Sequence, residues 1–304
     1  MEEKCASVAV VGRPSAGKST LVNTICEAKV SITASVPQTT RNLIRGVYTD
    51  SRGQLIFTDT PGMHISQKDF NKRLYDIALA SLEECDIVLY VCDCTREPGD
   101  EELLICSVLS KIKVPVVCCL NKKDICSTPS FDCMKIFLEE HLNCSGFFAV
   151  SALEDSGVDE LLIELFKHAP FGNILYPPDV RTDQDLEFRI SEIIREKTIE
   201  NTRQEIPHSV FVEVSDLEYD EVSSAVWIRA FINTERDSQK AIIIGKGASN
   251  IKKIRQASFK EIKKIFPACS LSIDLRVRKS VKWKSNPVVL SKVLKDGKKY
   301  PADK

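Results

Sequence analysis

The chain has 304 residues, 43% of them hydrophobic, which is enough for one large core or two ordinary ones; no apolar run reaches the ~18 residues of a bilayer-crossing helix, so no membrane-spanning helix is expected. Its 12 cysteines lie in apolar stretches such as LYVCDCT and VVCCLNKKD and lack the paired spacing of a zinc site, so they read as small buried hydrophobes in a reducing compartment. The net charge of −1 hides an uneven distribution: residues 1–180 sum to −8, residues 181–237 to −7 and residues 238–304 to +14, which points to a polyanionic partner for the last part of the chain.

The opening MEEKCASVAVV is acidic where a secretory leader is basic and has no small-residue cleavage site, so a cytoplasmic location is expected. A short apolar strand, 7–11, leads into GRPSAGKST at 12–20, and a helix carrying Leu21, Val22 and Ile25 follows. The spacing fits G-x-x-x-x-G-K-[ST], a phosphate-binding loop in the strand-loop-helix setting that such a loop needs. Gly12 and Gly17 let the backbone wrap closely, with Arg13, Pro14, Ser15, Ala16 and Thr20 completing the cradle. Lys18 brings a point charge toward the β- and γ-phosphates, Ser19 a hydroxyl for Mg²⁺, and the helix its positive end.

Residues 42–48 can add an antiparallel edge strand. The strand 54–58 ends in DTPG, where Asp59 can hold Mg²⁺ through water and the Gly62 N–H can meet the γ-phosphate, with Thr60 and Pro61 between them. Strands 87–92 and 115–120 follow, the latter ending in NKKD at 121–124. With Asn121 and Lys122 framing it, a carboxylate at Asp124 can accept from the ring N–H and exocyclic amine of guanine, which adenine cannot offer. After strand 147–151, Ser151, Ala152 and Leu153 form a loop able to contact the guanine carbonyl. Continuous apolar strands alternating with helices imply an α/β domain with a mostly parallel sheet, here a P-loop domain for GTP and GDP over 1–172.

Turn formers at 173–184 mark a linker. Beyond it, a helix with Leu186, Ile190, Ile193 and Ile194 precedes two alternating strands through Val210/Val212/Val214 and Val226/Ile228/Ala230/Ile232. The stretch IIIGKGASNIKKI leads into a helix with Ile251, Ile254, Ile262 and Ile265, and a last strand turns Leu271, Ile273, Leu275 and Val277 inward. The order α-β-β-α-α-β defines a second, smaller α+β domain over 185–284, followed by a basic tail over 285–304. Trp283 suits either base stacking or core packing.

The ordered set GRPSAGKS, QTTR (38–41), DTPG, NKKD and SAL, taken with the second domain, resembles the Era family of bacterial ribosome-assembly GTPases over nearly the whole chain. The resemblance implies a Mg²⁺-dependent GTPase in which Lys18, Thr40 and Gly62 serve catalysis and Ser19, Thr40 and Asp59 serve the metal. Spacing alone does not separate Thr40 from Thr39. Where Ras-like enzymes place a water-orienting glutamine after DxxG, this chain has Met63, as Era-like enzymes similarly carry an apolar residue, so intrinsic hydrolysis is expected to be slow. Relatives with asparagine at position 15 can bind K⁺; the shorter Ser15 weakens the case for K⁺ here. The γ-phosphate is expected to order the loops 31–45 and 59–75.

The GKGA loop resembles that of a type II KH domain, which grips about four nucleotides of single-stranded RNA through GXXG. Gly245, Lys246, Gly247 and Ala248 form it, with alanine in place of the last glycine. That methyl group is tolerated in helical backbone but obstructs a left-handed one. Lys252, Lys253, Arg276 and Arg278 are further candidate RNA contacts. The resemblance implies the 3′ end of 16S ribosomal RNA and the 30S subunit as partners, a monomer, and weak peripheral membrane contact through residues such as KDGKK. An RNA-binding module that senses GTP with little or no hydrolysis is the competing expectation.

Overall fold

A computed structural model describes residues 3–34, 36, 39–64, 69–203 and 206–294. Gln38 of QTTR, residues 65–68 of the second candidate switch loop and the KDGKK stretch lie outside these. The described chain divides into two compact units, one of residues 3–33 and 40–183, the other of residues 184–294 with the described part of 34–39.

In the first unit the elements run β1 (Lys4–Val11), α1 (Lys18–Ile25), β2 (Ile44–Asp50), β3 (Gly53–Asp59), α2 (Asp69–Ala80), β4 (Ile87–Asp93), α3 (Asp100–Leu109), β5 (Val116–Asn121), α4 (Thr128–His141), β6 (Gly146–Ala149) and α5 (Val158–His168). The sheet order is β2-β3-β1-β4-β5-β6, parallel except for the edge strand β2, which pairs antiparallel with β3. Alternate residues of β1 feed two cores. Val8 and Val10 join Leu21, Val22, Leu161 and Leu165 of α1 and α5. Ala9 and Val11 join Ala78, Ile105, Met134 and Leu138 of α2, α3 and α4. Burial on both faces is why these strands read as continuous apolar runs. Register then sets the site: Val10 lies beside Asp59 and Val11 beside Tyr90, so the loops after β1, β3, β4 and β5 gather at one edge of the sheet.

The stretch expected as a linker is strapped to the first unit. Tyr176 is buried with Val47 and Ile56. The Gln54 side chain accepts from the Leu175 and Tyr176 N–H groups, each at 3.0 Å, and donates to the Tyr176 carbonyl at 2.9 Å. Val47 N–H donates to the Arg181 carbonyl at 2.9 Å. One amide side chain thus supplies three main-chain partners to a segment that has no ladder of its own.

In the second unit α6 (Leu186–Glu200), the single turn α7 (Ile206–Ser209), β7 (Phe211–Asp220), β8 (Ala225–Thr234), α8 (Asp237–Ile244), α9 (Ser249–Lys263), β9 (Ser270–Lys279) and α10 (Pro287–Val293) follow in order. The sheet order is β7-β8-β9, with β7 antiparallel and β9 parallel to β8. Its inward residues, Val226, Ile228, Ala230, Ile232, Ile273 and Leu275, pack with Ile190, Ile194, Ile243, Ile254 and Ile262 of the helices. Trp283 belongs to the core: it is fully buried, its indole N–H donates to the Ser209 carbonyl at 2.9 Å, and its ring meets Phe211 at 5.0 Å. The stretch read as a tail begins with α10, where Leu290 and Leu294 are buried.

Candidate nucleotide site and nucleic-acid interface

The phosphate loop is built on three left-handed residues, Gly12, Ser15 and Gly17, at φ 154°, 63° and 96°. A Cβ at Gly12 would stand 2.3 Å from the Val91 carbonyl oxygen, and one at Gly17 2.2 Å from the Asn121 amide nitrogen. Glycine is therefore required by close approach as well as by torsion. Gly17 begins α1 with no side-chain cap, so the first N–H groups of the helix remain for an anion. The Lys18 ammonium is buried and donates to the Gly12 and Arg13 carbonyls at 3.1 and 2.9 Å. Burial lowers its pKa to about 8.

Three oxygens converge beside Lys18. Ser19 Oγ lies 2.7 Å from Asp59 Oδ2 and 2.9 Å from Thr40 Oγ1, and Thr40 Oγ1 lies 3.4 Å from Asp59 Oδ2. Thr40, not Thr39, reaches the site; the Thr39 hydroxyl donates to the Val36 carbonyl. Asp59 is fully buried, and burial raises its carboxyl pKa against the pull of Lys18. Its Oδ1 atom is buried with no hydrogen-bond partner among the described residues. A buried carboxylate with one idle oxygen beside two hydroxyls is a hard-oxygen donor set that fits Mg²⁺.

The DTPG turn is stitched to this loop. The Thr60 hydroxyl donates to the Val10 carbonyl at 2.7 Å, and Met63 N–H donates to the Gly12 carbonyl at 3.1 Å. A Cβ at Gly62 would fall 2.6 Å from the Pro14 nitrogen, so main chain touches main chain there. The Met63 side chain is fully buried in the core with Ala9 and Val11. His64, half-buried, sits 3.4 Å from the Gly62 carbonyl oxygen through Nδ1.

The guanine loops are joined by Asn121, whose amide donates to the Ala16 carbonyl at 2.9 Å and accepts from Ala152 N–H at 3.0 Å. The Ala152 carbonyl accepts from the Thr24 hydroxyl of α1 at 2.7 Å. Lys122, left-handed at φ 65°, donates to Asp93 at 2.8 Å. Asp124 stands exposed at the loop tip, and Leu153, 81% exposed, offers an apolar surface for a base. Ser151 is buried and its hydroxyl accepts from Glu154 N–H at 3.2 Å.

Sequence reasoning missed the buried charges behind the loop. Arg13 lies 3.0 Å from Glu102 and 3.5 Å from Asp93, all three nearly inaccessible. Its guanidinium is therefore committed to α3 and β4, leaving its main chain for the phosphate side. The available signals were a carboxylate closing the apolar strand 87–92 and an acidic first turn in DEE.

In the second unit, Gly245, Gly247 and Ala248 are left-handed, at φ 72°, 60° and 60°. The Ala248 methyl is thus in the conformation that obstructs it. A Cβ at Gly245 would meet Asn250 Cβ at 2.8 Å, whereas Gly247 has open space around it. From this loop α9 descends beside β9, and the two border a cleft of about 460 Å³ lined by Lys252, Arg255, Gln256, Phe259, Leu271, Ser272 and Ile273. Phe259 is 38% exposed, an aromatic surface among cations, and sequence reasoning did not single it out. The visible cue was an aromatic on a lysine-rich helix. Lys253 is exposed on the same helix. Arg276 and Arg278 point from the sheet face opposite α9. Arg276 pairs with Asp274 at 2.9 Å, and Arg278 pairs with Glu213 and stacks on Phe231 at 4.4 Å, so the structure does not bring them to the cleft.

Phosphate loop, oxygen cluster and guanine loops on one unit, and a GXXG-like loop on an α-β-β-α-α-β unit, define a P-loop GTPase domain followed by a KH domain. Residues 7–122 match the family of 50S ribosome-binding GTPases, and residues 205–284 match the KH domain family. The GTPase Era of Treponema denticola is 46% identical over 94% of this chain and 98% of its own, and that of Borreliella burgdorferi is 38% identical over 96% and 99%. A crystal structure of Era in complex with MgGDPNP and nucleotides 1506–1542 of 16S ribosomal RNA superposes with a TM-score of 0.91 at 30% identity, covering 96% of this chain and 98% of that one. A variant of Aquifex aeolicus Era bound to GDP·AlF4− gives 0.90, also at 30% identity, with 95% and 98% covered. The chain belongs to the Era family of GTPases. Among the described residues no helix is long and apolar enough to cross a membrane.

Proposed function

We propose that this protein is a GTP-hydrolysing switch that binds the 3′ region of 16S ribosomal RNA through its KH domain and assists assembly of the 30S subunit. The observation that carries the reading is the convergence of Ser19, Thr40 and Asp59, with its unpartnered carboxylate oxygen, beside the bare N-terminus of α1. Mg²⁺ bound there would neutralise charge on the β- and γ-phosphates. Lys18 moves from the loop carbonyls it now holds to the phosphate oxygens, which are stronger acceptors. Gly62, whose lack of a Cβ lets the chain lie against Pro14, would offer its N–H to the γ-phosphate, and Thr40 would report that phosphate through its hydroxyl beside Ser19 and Asp59. Asp124 selects guanine, and Asn121 keeps its loop in register with the phosphate cradle. With Met63 turned into the core, no side chain at that position holds the attacking water, so turnover without a partner is slow.

The GKGA loop brings its backbone to RNA phosphates, Lys246 and Lys252 neutralise them, and the cleft with Phe259 receives unstacked bases. The relatives' RNA and the +14 charge of residues 238–304 support the same ligand. The reading has the protein acting as a monomer in the cytoplasm, with weak peripheral membrane contact through its basic C-terminal residues. Multiple-turnover phosphate release tests it: a low GTPase rate that rises with small ribosomal subunits or their RNA is expected, and is lost in Lys18→Ala. A rate indifferent to both, with RNA still bound, would favour the module that senses GTP without hydrolysing it.

A further inference from the structure

We propose that Cys118 and Cys144 form a reversible oxidation site, in which a hydroperoxide converts the two thiols into a disulfide tying β5 to the chain that enters β6. The two sulfur atoms, 26 positions apart in sequence, lie 2.7 Å from one another. Cys118 is fully buried in the middle of β5, whereas Cys144 is half-buried between two exposed residues, Asn143 and Ser145. Ser145 N–H donates to the Val116 carbonyl at 2.8 Å, which fixes Cys144 against β5. An oxidant reaches the outer sulfur, and the inner one is already in place to resolve it.

The environment assigns the order of events. Cys144 is the half-exposed sulfur and Cys118 the buried one, and their mutual contact lowers the Cys144 pKa and raises that of Cys118. Cys144 is therefore the attacking thiolate. It forms an S–O bond to the hydroperoxide as the O–O bond breaks, leaving a sulfenic acid and releasing hydroxide or alkoxide. Cys118 then attacks that sulfur: the S–S bond forms, the S–O bond breaks, and oxygen departs as water with the Cys118 proton. Two thiols lose two electrons and one peroxide gains them. A dithiol reductant reverses the change by thiol–disulfide exchange. The crosslink would fasten the middle of β5 to the entrance of β6, at the end of β6 away from Ser151.

Cys133 on α4 provides the internal control, being exposed yet without a sulfur contact among the described residues. Treat the full-length protein with stoichiometric hydrogen peroxide, block remaining thiols, digest without reductant and map the peptides by mass. The expected product is a Cys118–Cys144 peptide about 2 Da lighter than its two reduced halves together, absent after dithiothreitol. It disappears in Cys144→Ser and persists in Cys133→Ser. Recovery of Cys118 and Cys144 as blocked thiols while Cys133 is oxidised would overturn the site, and the wild-type map decides this even if Cys144→Ser fails to fold.

Discussion

Lys18 shows how one buried charge carries both affinity and a pH limit. Desolvation has lowered its pKa to about 8, and bound phosphates favour its protonated form. Below pH 8 the ammonium is already present, so GTP affinity is flat with respect to this group. Above pH 8 the free protein has lost the proton that the complex needs, so binding takes one up and affinity falls by up to about tenfold per pH unit. Calorimetry in two buffers of different ionisation enthalpy should detect proton uptake at pH 9 and none at pH 7; uptake at neither would separate the binding step from Lys18. For the nucleotide-free protein the sign is opposite: the buried ammonium destabilises the fold below pH 8, and that penalty fades as pH rises toward the ordinary lysine value of 10.5. Ala248 is the second telling residue. A left-handed alanine costs roughly 1–2 kcal/mol, partly offset by the stiffer unfolded chain that alanine gives. Ala248→Gly should therefore stabilise the KH unit by about 0.5–1 kcal/mol, read as a higher urea midpoint at constant slope.

At the scale of elements, the nucleotide loops were legible because each motif encodes a local backbone demand. GRPSAGKS needs two glycines where the chain runs against Val91 and Asn121, and DTPG needs one where it runs against Pro14. The strands were legible too, since burial on both faces leaves unbroken apolar runs. What escaped depends on partners far apart in sequence. Gln54 reaches Tyr176 across 122 positions, and Arg13 reaches Glu102 in another element altogether. The cleft likewise exists only once α9 lies beside β9. The Arg13 ion pair has a measurable consequence. Glu102 also caps α3 by accepting the Gly99 N–H at 2.9 Å. Arg13→Ala would leave that charge buried without its cation and should destabilise the first unit by about 3–5 kcal/mol. Asp93 retains Lys122 and Thr95, so the loss centres on Glu102. Replacing Arg13 and Glu102 together by methionine should recover much of the stability, and a double variant as weak as the single one would locate the effect elsewhere.

Across the whole molecule, each unit has its own hydrophobic packing, and the charge changes sign inside the second unit: residues 1–180 sum to −8, 181–237 to −7 and 238–304 to +14. On the proposed reading the nucleotide contacts would come from main-chain N–H groups and a few buried side chains, and would respond weakly to surface charge. The proposed RNA contacts would rest on exposed cations and be governed by counterion release. Reversing Lys246 and Lys253 to glutamate should therefore weaken RNA binding and leave GTP affinity within error. If both lysines neutralise phosphates, the slope of log affinity against log salt should fall by roughly 0.7 for each cation lost, about 1.4 in all. An unchanged slope with lower affinity would mean that the two act on loop geometry, and unchanged affinity would move the RNA surface off this face. The sheet face of Arg276 and Arg278 supplies the comparison. Both cations already have carboxylate partners there, so charge reversal at these sites should leave the salt slope where it was.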